Sequence, residues 1–160
     1  SDPYFRFYFR FLAPHQELLL RPEETLTHIK NELRSFVGLA FERLAQQWLA
    51  LRPEALPFRP ESIGSHWHRN VQVDVVAVNW QTKELLLGEC KWGVNSVGRS
   101  VIRELAEKSP RVVPGEDWRI HYVFFARAGF TEAARAEAES LEATLVDLET
   151  LDADLRQALA

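Results

Sequence analysis

The chain of 160 residues lacks methionine, has a single cysteine and contains no long apolar run. One cysteine excludes an internal disulfide and fits a reducing compartment, so we expect a cytoplasmic protein. Apolar runs of a few residues are far shorter than the roughly 20 that span a bilayer, so no membrane segment is expected. Arg6 and Arg10 interrupt the N-terminal aromatics, unlike a signal peptide. Because no initiator methionine occurs, we expect either a processed chain or a part of a longer protein.

Two further absences limit the functions. A net charge of −4 argues against a general nucleic-acid coat, although a local basic patch stays open because the field near a site decides binding. No G-x-x-x-x-G-K-[ST] pattern occurs, so any ATPase must lie outside these residues. No Ser-His-Asp or zinc-finger arrangement is found either.

What is present is an ordered series of helix and strand patterns. Apolar spacing predicts a long helix over residues 26–51, three strands at residues 63–68, 71–78 and 84–91, a helix over residues 98–109, a strand in "RIHYVFFARA", a helix capped by Thr131, a strand in "TLVDL" and a terminal helix. This order predicts an α/β fold with a mixed sheet flanked by helices. Residues 1–25 are aromatic and arginine-rich, and we expect them to be a linker that docks on a preceding domain. Residues 26–160 form the predicted main domain.

The stretch "LLLGECKW" places two charges in an apolar strand. Side chains two apart on a strand point the same way, so Glu89 and Lys91 share the face of the leucines at 85 and 87, while Cys90 takes the other face. Burying a charge is costly unless it is paired or binds a metal. A strand-end salt bridge is the simplest interpretation of this E-x-K pattern alone.

The second and third predicted strands form a hairpin that brings a further carboxylate to this strand. A two-residue loop at Gln81–Thr82 and a four-residue loop at Trp80–Lys83 give the same register, in which Asp74 faces Glu89. Directly opposed Cβ atoms lie roughly 4.5–5.5 Å apart, so the two carboxylates need a cation between them. Lys91 is one candidate, and a divalent cation is the better one because both carboxylates supply oxygen ligands. A shifted register that turns Asp74 to solvent is the alternative.

The long helix contributes another acid. Glu42 lies on a stripe with Gly38, Ala45 and Leu49 that borders the apolar face. Gly38 costs about 1 kcal/mol of helix stability against alanine, which indicates that another backbone approaches it closely. The alternative is a boundary glutamate that reaches water.

These acids and the lysine, in this order, resemble the PD-(D/E)XK nuclease superfamily. The matching residues are Glu42 in "GLAFERLA", Asp74 in "VQVDVVAV", and Glu89 and Lys91 in "GECKW". The resemblance implies a restriction-endonuclease-like core of order α-β-β-β-α-β over about residues 26–127. Gln72 departs from the pattern, because relatives often carry an acid there, and this could lower metal affinity.

More narrowly, "FVGLAFERLA", "IGSHWHRNVQVDVVAV" and "LLLGECKW" resemble the C-terminal domain of archaeal-type P-loop ATPases. In that family an aromatic segment like "DPYFRFYFRFLAPH" joins the nuclease-like part to a winged helix and an ATPase. The resemblance therefore implies that both are partners in the same polypeptide.

The resemblance also implies a chemistry. Mg²⁺ or Mn²⁺, held by Asp74, Glu89 and the Cys90 carbonyl, would serve cleavage of DNA phosphodiesters. Lys91 would orient the attacking water or neutralise charge on the phosphate. Glu42 would ligate a second metal, directly or through water, or orient Lys91.

The helix after the E-x-K strand is the predicted DNA contact. Arg99 and Arg103, four residues apart, are expected to hold backbone phosphates, and a solvated helix face is the alternative. Three functions stay open: a metal-dependent nuclease, a DNA-binding or docking module without cleavage, and a purely structural domain. The oligomeric state, including a homo-oligomer, is also open.

Overall fold

The computed structural model describes residues 3–15, 20–68 and 71–160, which form two compact units, Ser1–Val37 and Gly38–Ala160. The α-helices are α1 (Pro3–Phe7), α2 (Pro22–Leu51), α3 (Arg99–Lys108), α4 (Glu132–Ser140) and α5 (Leu148–Ala158). The strands are β1 (Ser62–His68), β2 (Val71–Asn79), β3 (Glu84–Lys91), β4 (Arg119–Ala126) and β5 (Thr144–Asp147).

The first unit contains the aromatic segment and the first half of α2. After α1 the chain continues as a π-helical turn, Tyr8–Leu12, in which Phe11 is fully buried. Its ring lies 4.9 Å from that of Phe7 and 5.3 Å from that of Phe36. Three aromatic side chains of this unit are exposed to 57–65%, and they are Tyr4, Phe5 and Phe9.

Helix α2 begins earlier than predicted. It starts at Pro22 rather than at residue 26, and Glu23 and Glu24 lie in its first turn. Proline suits the first position of a helix because that N–H has no partner there, and acidic side chains complement the helix dipole. It ends at Leu51, before Pro53, as predicted.

The second unit is built on one five-stranded sheet in the order β1-β2-β3-β4-β5. Strands β1, β2 and β3 pair antiparallel, whereas β3, β4 and β5 pair parallel. The parallel connections run through α3 and α4, as a parallel pairing requires a crossover. The predicted α/β class, with a mixed sheet flanked by helices and the core order α-β-β-β-α-β, is confirmed by α2, β1, β2, β3, α3 and β4.

Each face of the sheet has its own apolar core. One core joins α2 and α5 to the sheet through Phe41, Trp48, Leu49 and Leu151. The other joins α3 and α4 through Ile102, Leu105, Ala134 and Ala138. The two faces of the sheet are thus both covered, which is why β3 and β4 are apolar without strict alternation.

The hairpin register is confirmed. Val78 pairs with Leu85 and Val76 with Leu87, and the four-residue loop is the one that forms. The Asn79 side chain stabilises this loop, because its Oδ1 accepts hydrogen bonds from the backbone N–H groups of Gln81 at 3.0 Å and Thr82 at 2.9 Å. Such Asn side chains stabilise turns.

Helix caps fix the C-terminal elements. The predicted Thr131 cap is confirmed, because its hydroxyl accepts the Ala134 N–H at 3.2 Å. Asp147 caps α5 in the same way, because its Oδ1 accepts the Thr150 N–H at 2.8 Å. This cap was not predicted from the sequence. In the part of the chain that the structure describes, no helix has both the length and the apolarity to cross a membrane.

Candidate functional site

The candidate site lies where β2 and β3 stop pairing with each other. The last backbone pair of this ladder is Val75 with Gly88, so Asp74 and Glu89 come directly after it. The Asp74 side chain takes over as acceptor, because the Cys90 N–H donates to its Oδ2 at 2.9 Å. The strand end therefore offers carboxylate oxygens where a regular ladder would offer a carbonyl.

A β-bulge in β2 sets the direction of Asp74. Regular pairing with β1 is interrupted, and the flanking pairs are Gly64 with Val76 and His66 with Val73. One residue of β1, Ser65, therefore faces both Asp74 and Val75, which is the pattern of a bulge. The bulge reverses the alternation, since Val73 packs in the α3–α4 core but Val75 packs in the α2–α5 core. Bulges commonly re-aim a side chain beside a functional site.

Glu89 is held by two lysines. Its side chain is 13% exposed, and Lys91 Nζ and Lys108 Nζ each lie 2.8 Å from a different carboxylate oxygen. Lys91 comes from the same strand, whereas Lys108 comes from the last turn of α3. The predicted contact of Glu89 with Lys91 is thus present, and a second cation accompanies it.

The charges at this strand end act on one another. Burial raises the pKa of Asp74, and the charge of Glu89 raises it further, against the Cys90 hydrogen bond and the charges of Lys91 and Lys108. Burial also raises the pKa of Glu42, and the charges of Asp74 and Glu89 add to that rise. The four residues predicted from sequence are therefore within electrostatic reach of each other, with negative charge in excess around Glu42 and Asp74.

Lys91 keeps its proton in this setting. Burial alone would lower its pKa, but the hydrogen bond to Glu89 and the charges of Glu89, Asp74 and Glu104 raise it overall. Glu104 lies on α3, so this helix contributes to the site through both Glu104 and Lys108.

Two glutamines surround Asp74. Gln46 on α2 donates to the Asp74 carbonyl at 3.2 Å, which ties the helix of Glu42 to β2. Gln72, the departure from the superfamily pattern, donates to Asp74 Oδ1 at 3.5 Å. An acid at position 72 would add a negative charge here, whereas the amide adds a donor.

The cysteine of the E-x-K stretch is not a nucleophile in this setting. Burial raises the pKa of the Cys90 thiol, and the charges of Asp74, Glu42 and Glu89 raise it further. A thiol is reactive as its thiolate, so this environment suppresses reactivity. The side chain packs against the α2–α5 core, as the strand alternation predicted.

The two arginines of α3 that were predicted to contact phosphates have different surroundings. Arg103 forms an ion pair with Glu137 on α4 at 2.8 Å, while Arg99 is exposed at the first position of α3. The pairing follows from helix geometry, because Arg103 lies on the flank of the buried residues Ile102 and Leu105 that faces α4. The opposite flank carries Glu104 and Lys108, which the sequence analysis overlooked although their four-residue spacing signals a shared face.

Arg127 is a further cation near the site that the sequence analysis missed. Its guanidinium lies 4.8 Å from the centre of the Trp92 ring, and the backbone N–H of Arg127 donates to the Lys91 carbonyl at 3.0 Å. Trp92 in turn packs on Phe41, with ring centres 5.3 Å apart. Arg127 therefore stacks on Trp92, the residue after Lys91, and Trp92 packs on Phe41, the residue before Glu42. No ion pair of Arg127 occurs within residues 3–15, 20–68 and 71–160.

The structure bears on two predictions for the site, the close backbone approach at Gly38 and the grouping of metal ligands. A Cβ added at Gly38 would meet nothing within 4 Å, so the close backbone approach expected there is wrong. Among the described residues, no group of three or more His, Cys, Asp or Glu side chains is arranged to hold a metal ion. At Glu89, each carboxylate oxygen accepts a hydrogen bond from a lysine.

Comparison with known proteins gives a family match and a distant relative. A family model described as "Archaea bacterial proteins of unknown function" matches residues 8–102. The uncharacterized protein MJECL04 of Methanocaldococcus jannaschii is 28% identical over 131 residues, which cover 79% of this chain and 30% of that protein. The chain therefore spans less than a third of the length of this curated relative.

Two solved structures are also similar to the chain. The MspJI restriction endonuclease in complex with a 27-mer oligonucleotide has a TM-score of 0.47 and 20% identity, and the match covers 79% of this chain and 30% of that one. A repair endonuclease from Pyrococcus abyssi has a TM-score of 0.40 and 17% identity, and the match covers 65% of this chain and 46% of that one.

Proposed function

The chain belongs to the family whose model matches residues 8–102, and we propose that it is a metal-dependent nuclease domain acting on DNA phosphodiesters. The family description gives no activity, so the proposal rests on the strand end around Asp74 and Glu89. The observation that carries the proposal is the meeting of three acids and a lysine where β2 and β3 stop pairing. Asp74 is 8% exposed and its pKa is raised by burial and by Glu89, so burying this carboxylate costs free energy. DNA as the substrate follows from the resemblance of the sequence motifs.

The donor chemistry fits a divalent cation. Asp74 and Glu42 have raised pKa values because burial and neighbouring negative charges oppose their ionisation, and a divalent cation would relieve that repulsion. Carboxylate and carbonyl oxygens are the ligands that Mg²⁺ prefers, so Asp74, Glu89 and the Cys90 carbonyl would hold Mg²⁺ or Mn²⁺, with Glu42 as a further ligand. The bound ion would polarise the phosphodiester and lower the pKa of a water molecule.

The residues of the chain supply the remaining steps. Lys91 stays protonated beside Glu89, so it would hold the attacking water or stabilise charge that develops on the phosphate. Arg127 would contact a backbone phosphate, because stacking on Trp92 orders its guanidinium without using its donors. Arg99 is a second candidate for such a contact, whereas Arg103 would have to leave Glu137 first.

The place of the domain in a longer protein is part of the proposal. We propose that residues 1–25 join it to a P-loop ATPase and a winged helix in the same polypeptide. The exposed rings of Tyr4, Phe5 and Phe9 support a docking role, because apolar patches of this kind mark interfaces.

A catalytically silent DNA-binding or docking domain is the second candidate. It is favoured by the two lysines on Glu89, which satisfy this carboxylate without any metal.

Cleavage of DNA separates the two candidates. We expect the domain to cleave at least one form of DNA with Mg²⁺ or Mn²⁺, and we expect Lys91→Ala to lower the rate by about 10²–10³ because the developing charge loses its donor. Lys83→Ala is the matched control, since Lys83 pairs with Asp117 in the loop region away from the site. If neither the domain nor its full-length parent cleaves DNA with these ions, the silent candidate takes over.

A further inference from the structure

The end of α3 reaches into the candidate site through one side chain. Lys108 Nζ lies 2.8 Å from Glu89 Oε2, while Lys91 Nζ occupies Oε1 at the same distance. Both lysine side chains are partly exposed, whereas Glu89 is 13% exposed. Glu89 is thus a buried carboxylate whose two oxygens each have their own ammonium group.

The backbone around Lys108 is fixed independently of this contact. Ser109 is 2% exposed, and its hydroxyl bonds the Ala106 carbonyl at 2.8 Å and the Tyr122 hydroxyl at 2.9 Å. Leu105 anchors the preceding turn in the core. Lys108 can therefore leave Glu89 by moving its flexible side chain alone, without unfolding the end of α3.

The charge of Lys108 also reaches the other acid of the strand end. Its ammonium group interacts electrostatically with Asp74 as well as with Glu89, which it contacts directly. One lysine from a separate element thus acts on both carboxylates that are proposed to hold the metal.

We propose that Lys108 is a built-in counter-ion that competes with a divalent cation for Glu89, and that it sets the metal affinity of the site as a positioning residue. The inference rests on the proposed function. An ammonium group 2.8 Å from a carboxylate oxygen occupies one of its lone-pair positions and repels a second cation there, so Lys108 opposes ligation of a divalent cation by that oxygen.

Lys91 and Lys108 have different parts in this exchange. Lys91 follows Glu89 by two residues on the same strand, so it stays beside the carboxylate in either state. Lys108 is attached to a different element and has Glu104 one helical turn away as an alternative acceptor. Displaced from Glu89, its charge would still be balanced.

Direct measurement of Mn²⁺ binding tests the inference without using activity. Mn²⁺ affinity is determined by titration followed by electron paramagnetic resonance for the wild type, Lys108→Gln and the control Lys83→Gln. Lys83 also pairs with a carboxylate, that of Asp117, but it lies in the β2–β3 loop. We expect Lys108→Gln to tighten Mn²⁺ binding roughly tenfold, since a charged hydrogen bond no longer competes. The control is expected to change affinity by less than about twofold, because its charge is distant and screened.

A second readout excludes a purely structural role for Lys108. Without metal, Lys108→Gln should lower the midpoint of thermal unfolding, because Glu89 loses one of its two cations. At saturating Mn²⁺ the difference from wild type should close, since the ion replaces the lost partner. A merely structural lysine would give the same loss with and without Mn²⁺.

The outcomes separate this inference from the proposed function. If Lys108→Gln binds Mn²⁺ no more tightly than wild type while Asp74→Asn abolishes binding in both, the competition is overturned and the metal site stands. If neither wild type nor Lys108→Gln binds Mn²⁺, both the competition and the metal-dependent function are overturned.

Discussion

Asp74 illustrates how a residue can be placed for a site at a cost in stability. Asp74 is 8% exposed, and its carboxylate accepts a hydrogen bond from the backbone N–H of Cys90. Burial and the charge of Glu89 oppose its ionisation, so the pKa of Asp74 lies above the ordinary aspartate value. Functional sites commonly retain such unfavourable charges, because the chemistry needs them.

This leads to a pH-dependent prediction for Asp74→Asn in the absence of metal. The amide oxygen can still accept the Cys90 N–H, but it carries no charge to bury. Because the folded pKa of Asp74 is raised, ionisation costs stability as pH rises from the ordinary aspartate range to the raised value. We therefore expect the variant to have a higher unfolding midpoint than wild type at pH 7, and the difference to vanish below pH of about 4.

Asp117→Asn is the matched control. Asp117 has a lowered pKa because Lys83 donates a hydrogen bond to it, so its replacement should not raise the midpoint at any pH. An Asp74→Asn midpoint at or below that of wild type at pH 7 would contradict a charge held at a cost. Calorimetry over a series of pH values makes the comparison.

Among the elements, the β2–β3 hairpin shows what the sequence can and cannot predict. The register could be predicted, because the apolar positions and the turn residues of the two strands lie close in sequence and constrain each other. The bulge at Asp74 could not, since it depends on pairing with β1. Lys108 and Arg127 could not be predicted for a related reason, because their contacts depend on how α3 and β4 pack beside β3. The spacing of charges along α3 does not show which side of the helix faces the site.

Gly88 is a position of this hairpin that has no room for a side chain. A Cβ built there would lie 2.9 Å from Val75 Cβ and 2.9 Å from Val123 Cγ1, closer than side chains pack. We expect Gly88→Ala to destabilise the domain by roughly 1–3 kcal/mol, because the sheet must separate to make room. Denaturant unfolding measures the change.

A second glycine of the sheet provides the control. Gly64 in β1 has nothing within 4 Å of an added Cβ, so Gly64→Ala should change stability by less than about 0.5 kcal/mol or stabilise slightly. Equal effects of the two substitutions would show that space around Gly88 is not limiting. Because Gly88 precedes Glu89, the destabilised variant should also lose Mn²⁺ affinity.

In the molecule as a whole, acids from α2, β2 and β3 and cations from β3 and α3 meet at one end of the sheet. The α-β-β-β-α-β order could be predicted from periodicity and turn signals, and the quartet Glu42, Asp74, Glu89 and Lys91 from its spacing and its resemblance to a nuclease superfamily. The arrangement of the carboxylates around two lysines could not, because it depends on tertiary distances. The same carboxylates can be balanced by a bound divalent cation or by Lys91 and Lys108. Which of these two states forms decides whether the domain is a metal-dependent nuclease.

Anomalous diffraction from crystals of the domain soaked in Mn²⁺ tests this choice directly. The proposed site predicts an anomalous peak bound by carboxylate oxygens of both Asp74 and Glu89, and no such peak in crystals of Asp74→Asn. Crystals of the wild type at saturating Mn²⁺ that show no peak between these carboxylates, with Glu89 still held by Lys91 and Lys108, would contradict a metal-dependent nuclease at this strand end.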